Sequence, residues 1–147
     1  MERETQPKPH TSIVVLAEDD DDTRQLIAAF LRRDGYDVVE VEDGSELEFF
    51  LSAMYAQDRE RPALILSDIR MPGRNGLEVV AHVREHDADV PIVLFSAYTT
   101  GSMRREAQNL GVAALLGKPF TLEELQRTVH ELLPLPLDEI EVLTFTD

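Results

Sequence analysis

Five short apolar runs rich in β-branched residues constrain this chain more than any other feature: SIVVLA (12–17), DVVEV (37–41), ALILS (63–67), PIVLFS (91–96) and VAALLG (112–117). Their length and composition suit buried strands. Between them apolar residues recur at helical spacing, as in Thr23, Leu26, Ile27, Phe30 and Leu31, then Leu47, Phe50, Leu51 and Met54, then Leu77, Val80, Ala81 and Val83. Parallel strands need long crossovers, which are normally right-handed helices, so the alternation predicts an α/β fold with a parallel sheet covered on both faces. Thr121 and Glu124 form a capping box for the last helix, and Gly35 and Gly111 fall where helices end.

Three segments are expected: an N-terminal extension over 1–11, one domain over 12–132, and an acidic C-terminal tail over 133–147. Pro134 and Pro136 should stop the last helix, and the EIEVLTF alternation beyond them reads as a mobile tail or, less favoured, an edge strand. At 147 residues and 43% hydrophobic, the chain has enough apolar mass for one substantial core. Its net charge of −15, with no local basic patch, argues against direct binding to nucleic acid or anionic membranes. There is no cysteine, no apolar leader, and no apolar run near the roughly 18 residues of a membrane span. A soluble, cytoplasmic protein is expected.

Open parallel sheets bind ligands beyond the carboxyl ends of their strands. Those ends carry Glu18 and Asp19, then Asp68, then Ser96, then Lys118. Five acids follow the first strand without a break, Glu18 to Asp22, although two carboxylates 4 Å apart repel by about 4 kcal/mol at an effective protein dielectric. A hard cation such as Mg²⁺ would cancel part of that repulsion, while Asp20, Asp21 and Asp22 can cap the first helix and face its positive end. A carboxylate beside Mg²⁺ can also act as a nucleophile toward a phosphoryl group, whose oxygens Lys118 and Ser96 would hold.

Taken together, LAEDD followed by TR, LILSDIRMPGRNGLE, FSA and LLGKPF resemble receiver domains of bacterial two-component response regulators over about residues 12–132. The resemblance implies a flavodoxin-like, doubly wound five-stranded sheet in the order 2-1-3-4-5 and a cis peptide between Lys118 and Pro119. It makes Asp68 the phospho-acceptor and Glu18 with Asp19 the metal-binding acidic pair, Asp19 as direct ligand. The Arg70 backbone carbonyl becomes a further Mg²⁺ ligand, Ser96 the hydroxyl that moves toward the phosphoryl group, and Lys118 its ion-pair partner. A sensor histidine kinase or histidine phosphotransfer protein would be the phosphodonor, a downstream protein the target, and a phosphorylation-linked homodimer one form of output. Leu115 stands where such domains commonly carry an aromatic switch residue, and the connection from Gly44 to Pro62 is longer than usual, which predicts an extended second helix.

Two other readings follow from the same residues. Asp19, Asp21 and Thr23 fit D-x-D-x-T, as in haloacid-dehalogenase-like phosphatases with Asp19 as nucleophile, but that reading leaves SDIRMPG unexplained and lacks further acids after Lys118. A receiver-like module that is never phosphorylated would normally lack an acid, the acceptor or the lysine, and none is missing here. His82, Glu85 and His86 spell H-x-x-E-H, a zinc-peptidase signature, on a stretch that reads as a solvated helix face. HELLP (130–134) echoes a phospho-accepting histidine box and reads as the end of a surface helix.

Overall fold

The computed structural model describes residues 13–57 and 61–133. The extension over 1–11 and the EIEVLTF segment lie outside the described residues, so the expected segment boundaries stand as expectations. Elements follow in the order β1 (Ile13–Ala17), α1 (Asp21–Arg33), β2 (Asp37–Val41), α2 (Gly44–Ala56), β3 (Leu64–Asp68), α3 (Gly76–Arg84), β4 (Ile92–Ser96), α4 (Gly101–Asn109), β5 (Ala114–Gly117) and α5 (Leu122–Leu132). All strand pairs are parallel, in the order β2-β1-β3-β4-β5. The expected sheet is therefore the observed one. Strand order reverses between β1 and β3, which opens a crevice at their carboxyl ends.

Because side chains alternate across a strand, the sheet sorts its own core into two layers. Val14 and Leu16 pack with Ile27 and Leu31 of α1 and Leu125 and Val129 of α5. Val15 and Ala17 pack on the other face with Leu47 and Leu51 of α2 and Leu77 and Val80 of α3. Among the described residues, no helix is long and apolar enough to cross a membrane.

Helix ends follow the sequence signals. Asp20, Asp43, Asn75, Thr100 and Thr121 are the N-caps, and Asn75 and Thr121 close full capping boxes with Glu78 and Glu124. The second helix runs 13 residues, as long as α1, and takes up most of the long connection before β3. α5 ends at Leu132, and Leu133 adopts the extended backbone expected before a proline. His130 lies on α5 with its Nε2 2.9 Å from Asp34 Oδ2, part of a polar seam between α5 and the end of α1.

One expectation of the helical pattern fails in an instructive way. Leu26, counted in the apolar stripe of α1, is 57% exposed, whereas Arg24 is buried. Spacing alone cannot separate these neighbours. Arg24 turns inward because carboxylates and a carbonyl wait there to receive its guanidinium.

Candidate functional site

The acid run is organised from its backbone outward. Arg24 Nη1 donates to the Glu18 carbonyl at 2.9 Å, Nη2 to Asp21 at 2.8 Å and Nε to Glu40 at 3.2 Å. Burial opposes its charge, but these carboxylates outweigh burial and raise its pKa. Asp20 accepts from Thr23 N at 2.9 Å and Thr23 Oγ1 at 2.6 Å, and these hydrogen bonds lower its pKa. Asp21 and Asp22 occupy the first turn of α1, at the positive end of its dipole. Three of the five acids thus serve the helix, which leaves Glu18 and Asp19 for the crevice.

Glu18 is 1% exposed and Asp68, at the end of β3, is 5% exposed. Lys118 Nζ stands between them, 2.8 Å from Glu18 Oε1 and 2.6 Å from Asp68 Oδ2. Burial pushes the ammonium pKa down, but the two carboxylates outweigh it and hold Lys118 charged. The Lys118 backbone N–H bonds to the Ser96 carbonyl at 2.8 Å, which fixes the lysine beside the end of β4, and its peptide to Pro119 is cis, as the resemblance implied. Asp68 Oδ1 accepts from Arg70 N at 3.1 Å, and Glu18 Oε2 from Asp20 N at 3.0 Å.

Ser96 is buried at the end of β4, and its hydroxyl bonds to the Tyr98 backbone rather than to Asp68. Its hydroxyl donates to the Tyr98 carbonyl at 3.0 Å and accepts from Tyr98 N at 3.2 Å. Arg70 and Tyr98, each two residues beyond a strand end, meet over the crevice: the guanidinium carbon is 5.7 Å from the ring centroid, with Tyr98 61% exposed. Leu115, partly buried on β5, packs against the α2/α3-side core.

Carboxylate oxygens of Glu18, Asp19 and Asp68 lie within 4.8 Å of one another. Burial first, and then the neighbouring Glu18, push the Asp19 carboxyl up. Three carboxylates at one open edge form the all-oxygen donor set that a hard divalent cation takes, so the residues present fit Mg²⁺.

The family model described as the response regulator receiver domain matches residues 14–130. The chain belongs to that family. The receiver is 27% identical over 122 residues to sporulation initiation phosphotransferase F of Bacillus subtilis, covering 83% of this chain and 94% of that protein. It is 29% identical to the response regulator receiver protein CpdR of Brucella abortus, covering 82% of this chain and 95% of that protein. Against the C4-dicarboxylate transport transcriptional regulatory protein DctD of Pseudomonas aeruginosa, at 32% identity, the match covers 82% of the receiver but only 25% of the relative. Among solved structures, the chemotaxis protein CheY4 of Vibrio cholerae superposes with a TM-score of 0.70 at 29% identity, covering 84% of this chain and 99% of that one. The comparisons lend no support to the phosphatase reading with Asp19 as nucleophile.

The structure brings Glu18, Asp19, Asp68 and Lys118 into one pocket and sets Ser96 and Arg70 on its rim. Sequence reasoning missed Arg24, which anchors the backbone beneath the pocket. The sequence offers only an arginine two residues after five acids, which does not show that it turns inward. It also missed Asp87, a buried carboxylate in the turn leading to β4, for which a single aspartate among loop residues gives no cue.

Proposed function

We propose that Asp68 accepts the phosphoryl group that switches this receiver, with a sensor histidine kinase or histidine phosphotransfer protein as donor. The observation that carries this reading is the Lys118 ammonium shared between Asp68 and Glu18, residues brought together across the whole sheet. An oxygen of Asp68 forms the new P–O bond as the donor's P–N bond, or the P–O bond of a small acyl phosphate, breaks and its electron pair leaves with the donor. Lys118 holds Asp68 oriented before transfer, then takes a phosphoryl oxygen as its partner while staying paired with Glu18. Glu18, Asp19, Asp68 and the Arg70 carbonyl would hold Mg²⁺, with Asp19 the direct ligand, which would offset the charge of the phosphoryl oxygens.

Ser96 supplies the switch. Its bonds to the Tyr98 backbone are neutral ones, and a dianion on Asp68 offers a charge-assisted bond about twice as strong. Drawing the hydroxyl inward frees the Tyr98 backbone and the loop before α4. Leu115 then follows by packing, so the output is a change of apolar shape on the α4–β5–α5 face that a downstream protein or a second receiver reads. Arg70 and Tyr98 cover the phosphoryl site against water, which sets how quickly the protein dephosphorylates itself. The site of action is the cytoplasm.

Intact-mass measurement with acetyl phosphate and Mg²⁺ tests the assignment. One added phosphoryl group is expected, lost in Asp68→Asn. Labelling that survives Asp68→Asn but disappears in Asp19→Asn would move the nucleophile to Asp19. Ser96→Ala should keep the label while losing the phosphorylation-induced amide shifts over residues 97–117; wild-type shifts in that variant would remove Ser96 from the switch.

A further inference from the structure

The end of α3 carries a second cluster that receiver chemistry does not use. α3 starts beside Asp68, where Gly76 N bonds to the Ile69 carbonyl at 2.8 Å, and runs back toward the opening of β4. Its far end is therefore remote from the acidic pocket. There His82, Glu85 and His86 each offer one ligand atom, all within 4.8 Å of one another. We infer that these three residues bind a divalent transition ion of the zinc class, at a site distinct from the Mg²⁺ pocket.

A cluster of this composition on a solvated helix face is often no more than an ion-pair patch. Two features of the surroundings argue for a site. First, His82 Nδ1 contacts a carboxylate oxygen of Glu48 on α2. A ring nitrogen facing a carboxylate must carry the proton, so in the neutral ring the lone pair is on Nε2, which lies 4.0 Å from Glu85 Oε1. Carboxylate, histidine and metal in series is how proteins fix the tautomer and orientation of a metal-ligating imidazole. Glu48 is itself held by Arg74 Nη1 at 3.1 Å. Second, the His86 ring stacks on Tyr55, centroids 6.5 Å apart at 25°, and Tyr55 is tied by its hydroxyl to Asp87 at 2.7 Å. Both imidazoles thus have a partner that limits their orientation.

His82, His86 and the supporting Glu48 and Tyr55 line a groove of about 270 Å³ between α2 and α3, which gives an ion and its waters a way in. Tetrahedral zinc needs ligand atoms roughly 3.4 Å apart, given bonds of about 2.0–2.1 Å. Half-exposed side chains reach that by small rotations. Two imidazoles and one carboxylate suit zinc, nickel or copper, whereas magnesium and calcium favour oxygen donors throughout. Water completes the coordination sphere. A bound ion would tie the end of α3 to α2 through His82 and Glu48.

Calorimetric titration of the full chain with Zn²⁺, in excess Mg²⁺ to fill the acidic pocket, tests this. One equivalent should bind. Affinity should fall about tenfold or more in His86→Ala and His82→Ala, and by about 10–100-fold in Glu48→Gln, through loss of the support for His82. His10→Ala and His130→Ala should bind as the wild type does. The targeted histidines lie at the surface, so unchanged far-UV circular dichroism should accompany each loss. Wild-type affinity in His86→Ala, or Zn²⁺ uptake removed only by Glu18→Gln or Asp19→Asn, would reduce the cluster to an exposed ion-pair patch. Phosphorylation of Asp68 should proceed in every one of these histidine variants, so the outcome is separable from the fate of the phospho-acceptor assignment.

Discussion

Asp68 and Asp87 are buried to nearly the same degree, 5% and 6% exposed, and stand at opposite ends of the sheet. Asp68 closes β3 in the crevice and takes two donors, Lys118 Nζ and Arg70 N. Asp87 precedes β4 and takes four: Tyr55 Oη at 2.7 Å, Arg61 Nη2 at 3.2 Å, and Asp89 N and Val90 N at 3.0 Å each. Three of these donors converge on Oδ1 and Tyr55 takes Oδ2, so Asp87 is more fully occupied than Asp68, which has one donor on each oxygen. Asp87 is paired with a phenol, a guanidinium and two backbone N–H groups, whereas Asp68 faces a second buried carboxylate, Glu18, across one lysine. Burial alone does not distinguish a structural acid from a reactive one. Spare acceptor capacity and a second carboxylate sharing the same lysine mark the acid proposed as reactive.

Chemistry should separate the two most sharply. Asp68→Asn is expected to lose all phosphoryl uptake from acetyl phosphate by mass spectrometry, and Asp87→Asn to lose none. Stability should separate them in the opposite sense. Asp87→Ala orphans a phenol and two backbone N–H groups, at about 3 kcal/mol in urea unfolding. Asp68→Asn should stay within about 1 kcal/mol of wild type, because Lys118 keeps Glu18 and Glu18 loses a like charge. Equal losses in the two variants would make Asp68 as structural as Asp87 and break the contrast.

Acid should reveal the same difference. Burial pushes the Asp87 carboxyl up, but bonds from Tyr55, Asp89 N, Val90 N and Arg61 outweigh it, and its pKa is lowered. A carboxylate depressed on folding contributes stability that is present above its unfolded value, about 3.9, and is lost as pH falls through its folded one. The gap between wild type and Asp87→Asn should therefore be full at neutral pH and close below about pH 4 in urea melts taken across that range. Tyr55→Phe, which removes one of the four donors, should cost about 1 kcal/mol and leave phosphorylation untouched. The smallest effect is expected at the rim: Tyr98→Ala should shorten the half-life of phosphorylated Asp68 a few-fold, measured by loss of the mass label, with stability unchanged. An equal or longer half-life would end the shielding role of the Arg70–Tyr98 contact.

These contrasts show what a sequence displays. Strand positions were legible because the central strands are nearly continuous apolar runs, and even β2, interrupted by Glu40, falls on the residues expected of it. Glu18, Asp19, Asp68 and Lys118 were legible because strand order carries strand ends, and whatever stands there, to one edge. Arg24 and Asp87 were not, since an inward-turned charge is specified by partners distant in the chain: Glu40 for the one, Tyr55 and Arg61 for the other. The outward turn of Leu26 follows from the same cause. The present bonding of Ser96 to Tyr98 was hidden too, because a hydroxyl with two candidate partners leaves no trace of its choice in residue spacing.

Gly44 opens α2 with its backbone N–H on the Pro72 carbonyl at 3.1 Å, and a Cβ there would stand 1.6 Å from the Arg74 carbonyl oxygen. No side chain fits that gap. The first turn of α2 and the segment that follows Asp68 are thus fused back to back, with no cushion of side chain between them to absorb a shift. If Asp68 is the acceptor, as proposed, any shift of its loop is passed at once to α2, on the flank of the sheet away from α4, which makes that flank the stiff side of the receiver.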